Sequence, residues 1–286
     1  MRHVAGMAGL AREYDGFIVD LWGVVHDGVA PYPGAAECLA RLKAAGKRAA
    51  LLSNAPRRAA AAAAAMQAMG IGEGLYHALL TSGEATHMML RDRTDPWFAA
   101  LGRHVFHLGP ERDRNVFEGL DYEPVEEPEQ ADFVLNTGPD DHRNPTRLEE
   151  FEPVLEACQA ARLPMVCANP DREVVRGGVR VLCAGALAER YRELGGKVRK
   201  VGKPDPAIYA PVLALLGLPR ERVLAIGDAL ETDIAGAAAA GIASAWVLGG
   251  IHGQALGDDR EAAEEMAGLA GLSPLATLPA FVWEER

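Results

Sequence analysis

The stretch FIVDLWGVVHDG, residues 17–28, decides the fold of this chain. Its first residues are apolar and β-prone, so they predict a buried strand, and that strand ends on a carboxylate, Asp20. A loop that contains glycine follows at once. Because ligands of open parallel sheets bind where strands end, the stretch predicts a ligand site at the carboxyl edge of such a sheet.

Short apolar runs alternate with amphipathic or Ala-rich stretches at both ends of the chain, as in RAALLSN (48–54) and RVLAIGD (222–228). This alternation is typical of β-α-β units, so it predicts an α/β fold with a doubly wound parallel sheet. The middle differs in texture, with the acidic, Pro-rich patch DYEPVEEPEQ (121–130). We therefore expect a core built from residues 1–80 and 186–286, and an inserted α/β cap domain at 81–185.

The composition excludes several classes of partner. The 286 residues carry a formal net charge of -11, which repels nucleic acid and anionic lipid at long range. The four cysteines form no CxxC pair, so they predict neither a zinc site nor a disulfide framework. The N-terminal residues lack a signal peptide's apolar core and no apolar run reaches transmembrane length, so we expect a cytoplasmic protein.

Polar residues follow several predicted strands. Asp20 follows FIVD, Ser53 and Asn54 end AALLSN, and Asp228 ends RVLAIGD, while Lys203 follows KVRKVG. Two carboxylates, a hydroxyl and a lysine at one sheet edge suit phosphoryl transfer, which needs a nucleophile, a Mg²⁺ site and neutralising cations. Each residue also has an ordinary reading: Ser53 can cap a helix and Lys203 can lie on the surface.

Taken in order, the motifs resemble haloacid dehalogenase (HAD) superfamily hydrolases of class IIA, the group of N-acetylglucosamine-phosphate and nitrophenyl phosphatase-like enzymes. The matching segments are DLWGV (20–24), SNAPRR (53–58), TSGEAT (81–86), ANPD (168–171), GKPDPAIY (202–209) and GDALETD (227–233). Each motif alone is weak, but their order and spacing are specific. The resemblance covers nearly the whole chain and implies a C2-type cap inserted between SNAPRR (53–58) and GKPDPAIY (202–209).

The resemblance also implies residue roles. Asp20 would attack phosphorus and form an aspartyl-phosphate, with Lys203 as the second catalytic residue. Ser53, Asn54 and Lys203 would bind phosphate. Mg²⁺ would be held by the carboxylates of Asp20 and Asp228 and by the backbone carbonyl of Trp22. Asp233 would support this site from behind, although it could also be an ordinary acid in the first turn of a helix.

Trp22 departs from the family pattern, which has a second acid at this position to protonate the leaving group. The absence of this second acid removes general acid-base catalysis that is typically worth a factor of about 10² to 10⁴ in rate. Trp22 could simply pack beneath the cap, and His26 or Asp27 could replace the acid or could stabilise the loop. Asn169 and Asp171 predict a turn of the cap that faces the substrate or supplies a proton, although Asn-Pro-Asp is also an ordinary loop sequence.

The predicted function is Mg²⁺-dependent hydrolysis of a small phosphorylated metabolite, with sugar phosphates among the candidates. Two alternatives stay open. One is a HAD reaction that does not need the second acid, such as carbon–phosphorus cleavage or transfer from a good leaving group. The other is a phosphate-binding or regulatory protein with little turnover. The cap also offers a surface through which copies of the chain could form a homo-oligomer.

Overall fold

The apolar start of the stretch 17–28 lies inside a seven-stranded parallel sheet. In the computed structural model, which describes residues 1–256 and 259–284, strand β2 (Gly16–Val19) pairs with one strand from each end of the chain. Its four residues are all buried, as the apolar run predicts. Asp20 is the first residue beyond this strand, so its position at the sheet's carboxyl edge follows from the local sequence.

The core sheet has the order β1-β14-β13-β12-β2-β3-β4, and all of its strand pairs are parallel. Its other strands are β1 (Arg2–His3), β3 (Arg48–Ser53), β4 (Ala78–Thr81), β12 (Val223–Gly227), β13 (Ala243–Val247) and β14 (Ala276–Leu278). The helices of the same part of the chain are α1 (Met7–Glu13), α2 (Ala35–Ala44), α3 (Ala59–Ala68), α8 (Tyr209–Leu216), α9 (Ala235–Ala239), α10 (Gly253–Leu256) and α11 (Arg260–Leu269).

The inserted cap contains a second sheet, of order β11-β8-β7-β5-β6, and a separate antiparallel hairpin. Its strands are β5 (His104–Leu108), β6 (Glu123–Val125), β7 (Phe133–Asn136), β8 (Met165–Cys167) and β11 (Val198–Lys200), and the hairpin strands are β9 (Glu173–Arg176) and β10 (Val179–Leu182). The helices are α4 (Ser82–Asp92), α5 (Pro96–Ala99), α6 (Glu152–Ala160) and α7 (Ala184–Glu193). The expected α/β architecture with an inserted cap is confirmed.

The chain returns to the core later than residue 186, where the sequence analysis placed the boundary. Helix α7 packs its apolar side, including Leu187 and Tyr191, against the cap residues Phe151 and Leu155. Strand β11 then pairs in parallel with β8 of the cap sheet. An amphipathic helix and a short, charged strand carry no local signal of the sheet they join, so this boundary depends on long-range pairing.

Core and cap share apolar packing. One buried cluster includes Leu52 and Leu80 from the core together with Phe98 and Phe133 from the cap. Burying apolar surface stabilises such contacts by about 25 cal/mol per Å². The core and the cap are therefore held together by this packing as well as by the two crossing segments, which are the stretches of chain that lead from the core into the cap and back. Among the described residues, no helix is long and apolar enough to cross a membrane.

Candidate active site

Three polar side chains reach one edge of the core sheet from the ends of adjacent strands. Asp20 follows β2, Ser53 ends β3, and Asp228 follows β12. The Asp20 amide donates to the carbonyl of Ile226 at 2.9 Å, which carries the β2–β12 pairing one step past the strand. The parallel register therefore brings these residues together, as the sequence analysis expected.

Lys203 reaches the same place by another route, because it follows the last strand of the cap rather than a core strand. Its ammonium donates to the carboxylates of Asp20 and Asp233, both at 2.6 Å, and to the carbonyl of Leu52 at 3.1 Å. Burial disfavours the charged form, but the two carboxylates outweigh it and raise the pKa of Lys203 well above its usual value. The lysine is therefore a fixed cation with its three donors in use.

The carboxylates of Asp20, Asp228 and Asp233 form a compact acidic cluster. One oxygen from each lies within 4.8 Å of the other two, and all three residues are buried. Burial, followed by the charge of Asp233, raises the pKa of Asp228 to about 8. Three buried acids beside a single lysine leave excess negative charge, which a bound cation would offset.

Two hydrogen bonds hold Asp228 in place. The Ile251 backbone amide donates to Oδ2 of the side chain at 2.6 Å, and the Trp246 indole donates to the backbone carbonyl of Asp228 at 2.8 Å. Gly23 and Gly250 lie so close that a Cβ on either would overlap the Asp228 carboxylate. Sequence reasoning missed this support, although the glycine pair after β13 signals a close backbone approach.

The donor set fits a hard cation. Carboxylate and carbonyl oxygens are the ligands that Mg²⁺ takes, and Asp20 and Asp228 each have one oxygen without a protein donor among the described residues. The Trp22 carbonyl belongs to the peptide bond that leads into Gly23, beside Asp228. Within the described chain no hydrogen bond to that carbonyl is found.

Asp233 is less available to a cation because both of its oxygens have protein partners. Oδ1 accepts from Lys203, and Oδ2 accepts from the Ala229 amide at 3.1 Å. The supporting role expected for Asp233 stays a prediction.

Asn54 is saturated by protein partners. Its Oδ1 accepts from the Lys203 amide at 2.8 Å and from Ser82 Oγ at 3.2 Å, and its Nδ2 donates to Asp171 Oδ1 at 2.8 Å and to the Lys203 carbonyl at 3.1 Å. A side-chain amide has two donor hydrogens and two acceptor lone pairs, so none is left. The side chain therefore does not have the capacity for the expected phosphate contact, which only the backbone amide of Asn54 could supply.

The Asn54 junction, defined by Asn54, Ser82, Asp171 and Lys203, joins both crossing segments to a turn of the cap. Gly202, with a positive φ of 129°, permits it, because a Cβ there would overlap Ser82 Oγ. Sequence reasoning quoted the motif that contains Ser82 without assigning this residue a role. The nearby Ser53 is buried, and its Oγ accepts from the Ala55 amide at 3.2 Å, so its hydroxyl hydrogen is not used in that bond.

Trp22 lines the cleft beside Asp20, while the two residues considered as substitutes for the acid have other partners. The His26 ring packs edge-on against the Trp22 ring, with 5.3 Å between the ring centroids. Its Nδ1 accepts a hydrogen bond from the Gly28 amide, and burial lowers its pKa to about 4. Asp27 accepts from the Val29 and Ala30 amides, which lower its pKa. Both therefore stabilise the loop, which is the ordinary reading of these residues.

The two residues of the ANPD turn differ in what they face. Asn169 is buried, and its Oδ1 accepts from the Asp171 amide at 3.0 Å, so it shapes the turn. Asp171 is half-buried, lines the cleft and belongs to the Asn54 junction. Burial raises its pKa, against the nearby charge of Lys203. Only Asp171 of the pair thus faces the site.

A cleft of about 920 Å³ separates the acidic cluster from the cap. Its core side includes Asp20, Trp22, Asp228 and Gly250, and its cap side includes the hairpin and charged residues of α7 and β11. This volume lies within the range of small-molecule sites. The molecule therefore presents three buried carboxylates and a lysine to a cleft that lies between the core and the cap.

Comparison with known proteins agrees with this geometry. Residues 17–123 match a family model described as haloacid dehalogenase-like hydrolase, and residues 200–269 match a second, HAD-hydrolase-like model. Chronophin of Homo sapiens is 30% identical over 263 residues, which cover 88% of this chain and 84% of that protein. The chain therefore belongs to the haloacid dehalogenase-like hydrolase family, and these relatives confirm the expected class IIA resemblance.

Solved structures extend the likeness to the whole chain. A haloacid dehalogenase-like hydrolase from Brucella suis is 35% identical, with a TM-score of 0.83, and the match covers 98% of this chain and all of that one. Glycerol phosphate phosphatase from Mycobacterium tuberculosis, solved in complex with magnesium, is 26% identical with a TM-score of 0.64, over 88% of this chain and 73% of that one. The chain is thus an enzyme of the HAD-like hydrolase family.

Proposed function

We propose that the protein is a Mg²⁺-dependent phosphatase that hydrolyses a small phosphomonoester through an aspartyl-phosphate on Asp20. The observation that carries the proposal is the position of Lys203, which bridges Asp20 and Asp233 at 2.6 Å each beside the carboxylate of Asp228. A structural ion pair would not need a third buried acid. A phosphoryl-transfer site needs all three groups and a cation.

The reaction has two displacements. First, a carboxylate oxygen of Asp20 attacks phosphorus, the ester P–O bond breaks, and the leaving group departs with its electron pair. Second, water attacks the phosphorus of the aspartyl-phosphate, and inorganic phosphate leaves as the Asp20 carboxylate is restored. Lys203 offsets the charge of Asp20 and of the phosphoryl oxygens, and the hydroxyl of Ser53 and the loop amides that follow it supply hydrogen bonds.

Mg²⁺ would be held by Asp20, Asp228 and the Trp22 carbonyl, and it would supply Lewis-acid stabilisation of the phosphoryl oxygens. The glycerol phosphate phosphatase solved with magnesium supports this choice of cation. Named relatives with phosphatase activity support a small phosphorylated metabolite as the substrate. A sugar phosphate is one candidate, and a cytoplasmic location stays a prediction.

Phosphate release tests the proposal. Purified protein should release inorganic phosphate from p-nitrophenyl phosphate or from a panel of phosphorylated metabolites when Mg²⁺ is present. EDTA should abolish the release, and added Mg²⁺ should restore it. Release that is unchanged by EDTA would overturn the metal assignment, and no release from any ester would overturn the phosphatase assignment.

Trp22 favours a second candidate, a phosphate-binding or regulatory protein with little turnover, because the family's proton donor is missing. The two candidates differ in their response to a phosphate ester in the presence of Mg²⁺. A binding protein would show saturable, Mg²⁺-dependent affinity by calorimetry and would release no phosphate over hours. The hydrogen bond from Lys203 to Asp20 at 2.6 Å supports turnover instead.

A further inference from the structure

The indole of Trp22 occupies a fixed position on the core side of the cleft. Trp22 lies two residues beyond Asp20 and, like Asp20, lines the cleft. Its six-membered ring lies against Gly28, whose φ is 82° and where a Cβ would overlap the ring. The His26 ring meets it edge-on, with the ring planes at 72°. The loop is therefore shaped around the indole.

The two side chains of this loop that were considered as replacements for the acid, those of His26 and Asp27, have other partners. His26 is buried outside the cleft lining, and its Nδ1 accepts from the Gly28 amide at 3.0 Å. Asp27 also lies outside the described lining, and its Oδ1 accepts from the amides of Val29 and Ala30 at 2.9 and 2.7 Å. Both side chains are committed to holding the loop that holds Trp22.

An aromatic surface beside the nucleophile, without an acid, has a consequence for the leaving group. An alkoxide is a strong base and departs slowly unless it is protonated, whereas a phenolate departs readily because its charge is delocalised. An aromatic ring can also pack against the indole in offset or edge-to-face geometry. A site of this kind suits aryl esters.

We propose that the preferred substrates are aryl phosphates, whose aromatic leaving group packs against Trp22 and departs as a phenolate without protonation by the enzyme. The proposal rests on the phosphatase function proposed above. The bond between Asp20 and phosphorus forms as the aryl P–O bond breaks, the phenolate keeps the electron pair, and it takes a proton from water after release. Unactivated sugar phosphates are then slow substrates.

Asp171 is the main rival explanation because it lines the cleft from the cap side. Its Oδ1 accepts from Nδ2 of Asn54 at 2.8 Å, and its Oδ2 has no hydrogen-bond partner among the described residues. The neighbouring charges are those of Lys203, Lys200 and Asp233. If Asp171 donated the proton, alkyl phosphates would depend on it and aryl phosphates would not.

The first measurement needs no variant. kcat/KM is determined with Mg²⁺ for p-nitrophenyl phosphate, phenyl phosphate, glycerol 3-phosphate and glucose 6-phosphate. We expect a steep decrease as the leaving group becomes more basic, by at least about 10²-fold from p-nitrophenyl to alkyl esters. Equal values across the series would overturn the proposal and leave the phosphatase function standing, whereas hydrolysis of none of them would overturn both.

The second measurement compares two variants of the same size, Trp22→Asp and Trp22→Asn, of which only the first has a carboxyl group. Both lose the indole, so their ratio isolates the proton donor. For the alkyl esters the Asp variant should exceed the Asn variant by at least about tenfold, and for p-nitrophenyl phosphate the ratio should be near one. A ratio near one for every ester would overturn the proposal.

The variant Asp171→Asn tests the rival explanation, in which Asp171 donates the proton to the leaving group. Under the proposal it changes all esters by a similar factor, because it perturbs the Asn54 junction and not a proton transfer. A selective loss of alkyl-ester turnover, together with loss of the basic limb of the pH–rate profile, would assign the proton donor to Asp171 and overturn the proposal. Asn169→Ala, which disturbs the turn without touching the cleft carboxyl, is the matched control.

Discussion

The two sides of the cleft differ in how their charged side chains are paired and buried. On the core side, three buried carboxylates lie beside a single lysine, and burial, followed by the charge of Asp233, raises the pKa of Asp228 to about 8. On the cap side, Glu189 accepts from both Arg172 and Lys200, at 3.0 and 3.2 Å. The core side is unbalanced and buried, whereas the cap side is paired and more exposed.

From this difference we infer that the core side of the cleft carries out the reaction, whereas the cap side contributes to substrate recognition. Unbalanced buried charge destabilises a fold, so a cluster of this kind is expected where a cation and a phosphoryl group complete it. Paired, solvent-exposed charges contribute little to stability and can vary without harm to the core. We therefore expect changes on the core side to alter turnover strongly and changes on the cap side to alter it weakly.

The largest effect is expected for Asp20→Asn, since the amide keeps the shape of the side chain but cannot act as the nucleophile. Turnover of p-nitrophenyl phosphate should fall by more than about 10³-fold, with the fold retained. Steady-state rates and circular dichroism check this outcome. Wild-type turnover in the variant would mean that Asp20 is not the nucleophile.

The next effect is expected for Asp228→Ala, which removes one of the two carboxylates proposed to hold Mg²⁺. The midpoint of the Mg²⁺ titration of activity should rise by at least about tenfold. Asp15→Ala is the matched control, because Asp15 is a surface acid bonded to Lys47 and Arg222, far from the proposed ligands. An unchanged midpoint for Asp228→Ala would exclude it as a ligand.

A smaller effect is expected where the two sides meet, at Asn54. Asn54→Ala removes four hydrogen bonds that join Ser82, Asp171 and Lys203, so the lysine and the cap lose their common support. We expect kcat/KM to fall about tenfold, equivalent to 1.4 kcal/mol. Ser82→Ala, which removes a single bond, should have a weaker effect. Equal losses in the two variants would show that the junction does not act through Lys203.

The smallest effect is expected for Glu189→Gln on the cap side. The change removes the shared partner of Arg172 and Lys200, which can each turn to solvent. The free energy of unfolding in urea should change by less than about 1 kcal/mol, and kcat should stay within about threefold. A loss comparable with that of Asp228→Ala would show that the cap charges share in the chemistry.

The features that could be predicted from the sequence are those that depend on a short segment of the chain. A buried run that ends in Asp20 is recognisable in a dozen residues, and the same holds for the strand before Asp228. The return from the cap was misplaced at residue 186 because α7 and β11 carry no mark of the sheet they join. Strand β11 was correctly predicted as a strand before Lys203, but it belongs to the cap sheet.

The sequence by itself determined the α/β class, the inserted cap and the polar residues at the strand ends, because periodicity and strand-end chemistry are properties of short segments. Only the tertiary structure decided what those side chains contact. Asn54 meets Lys203 across 149 residues of chain, and Lys203 meets Asp20 across 183. Such contacts depend on how the chain closes on itself, so no local pattern could show that Asn54 is saturated or that His26 and Asp27 hold the loop around Trp22.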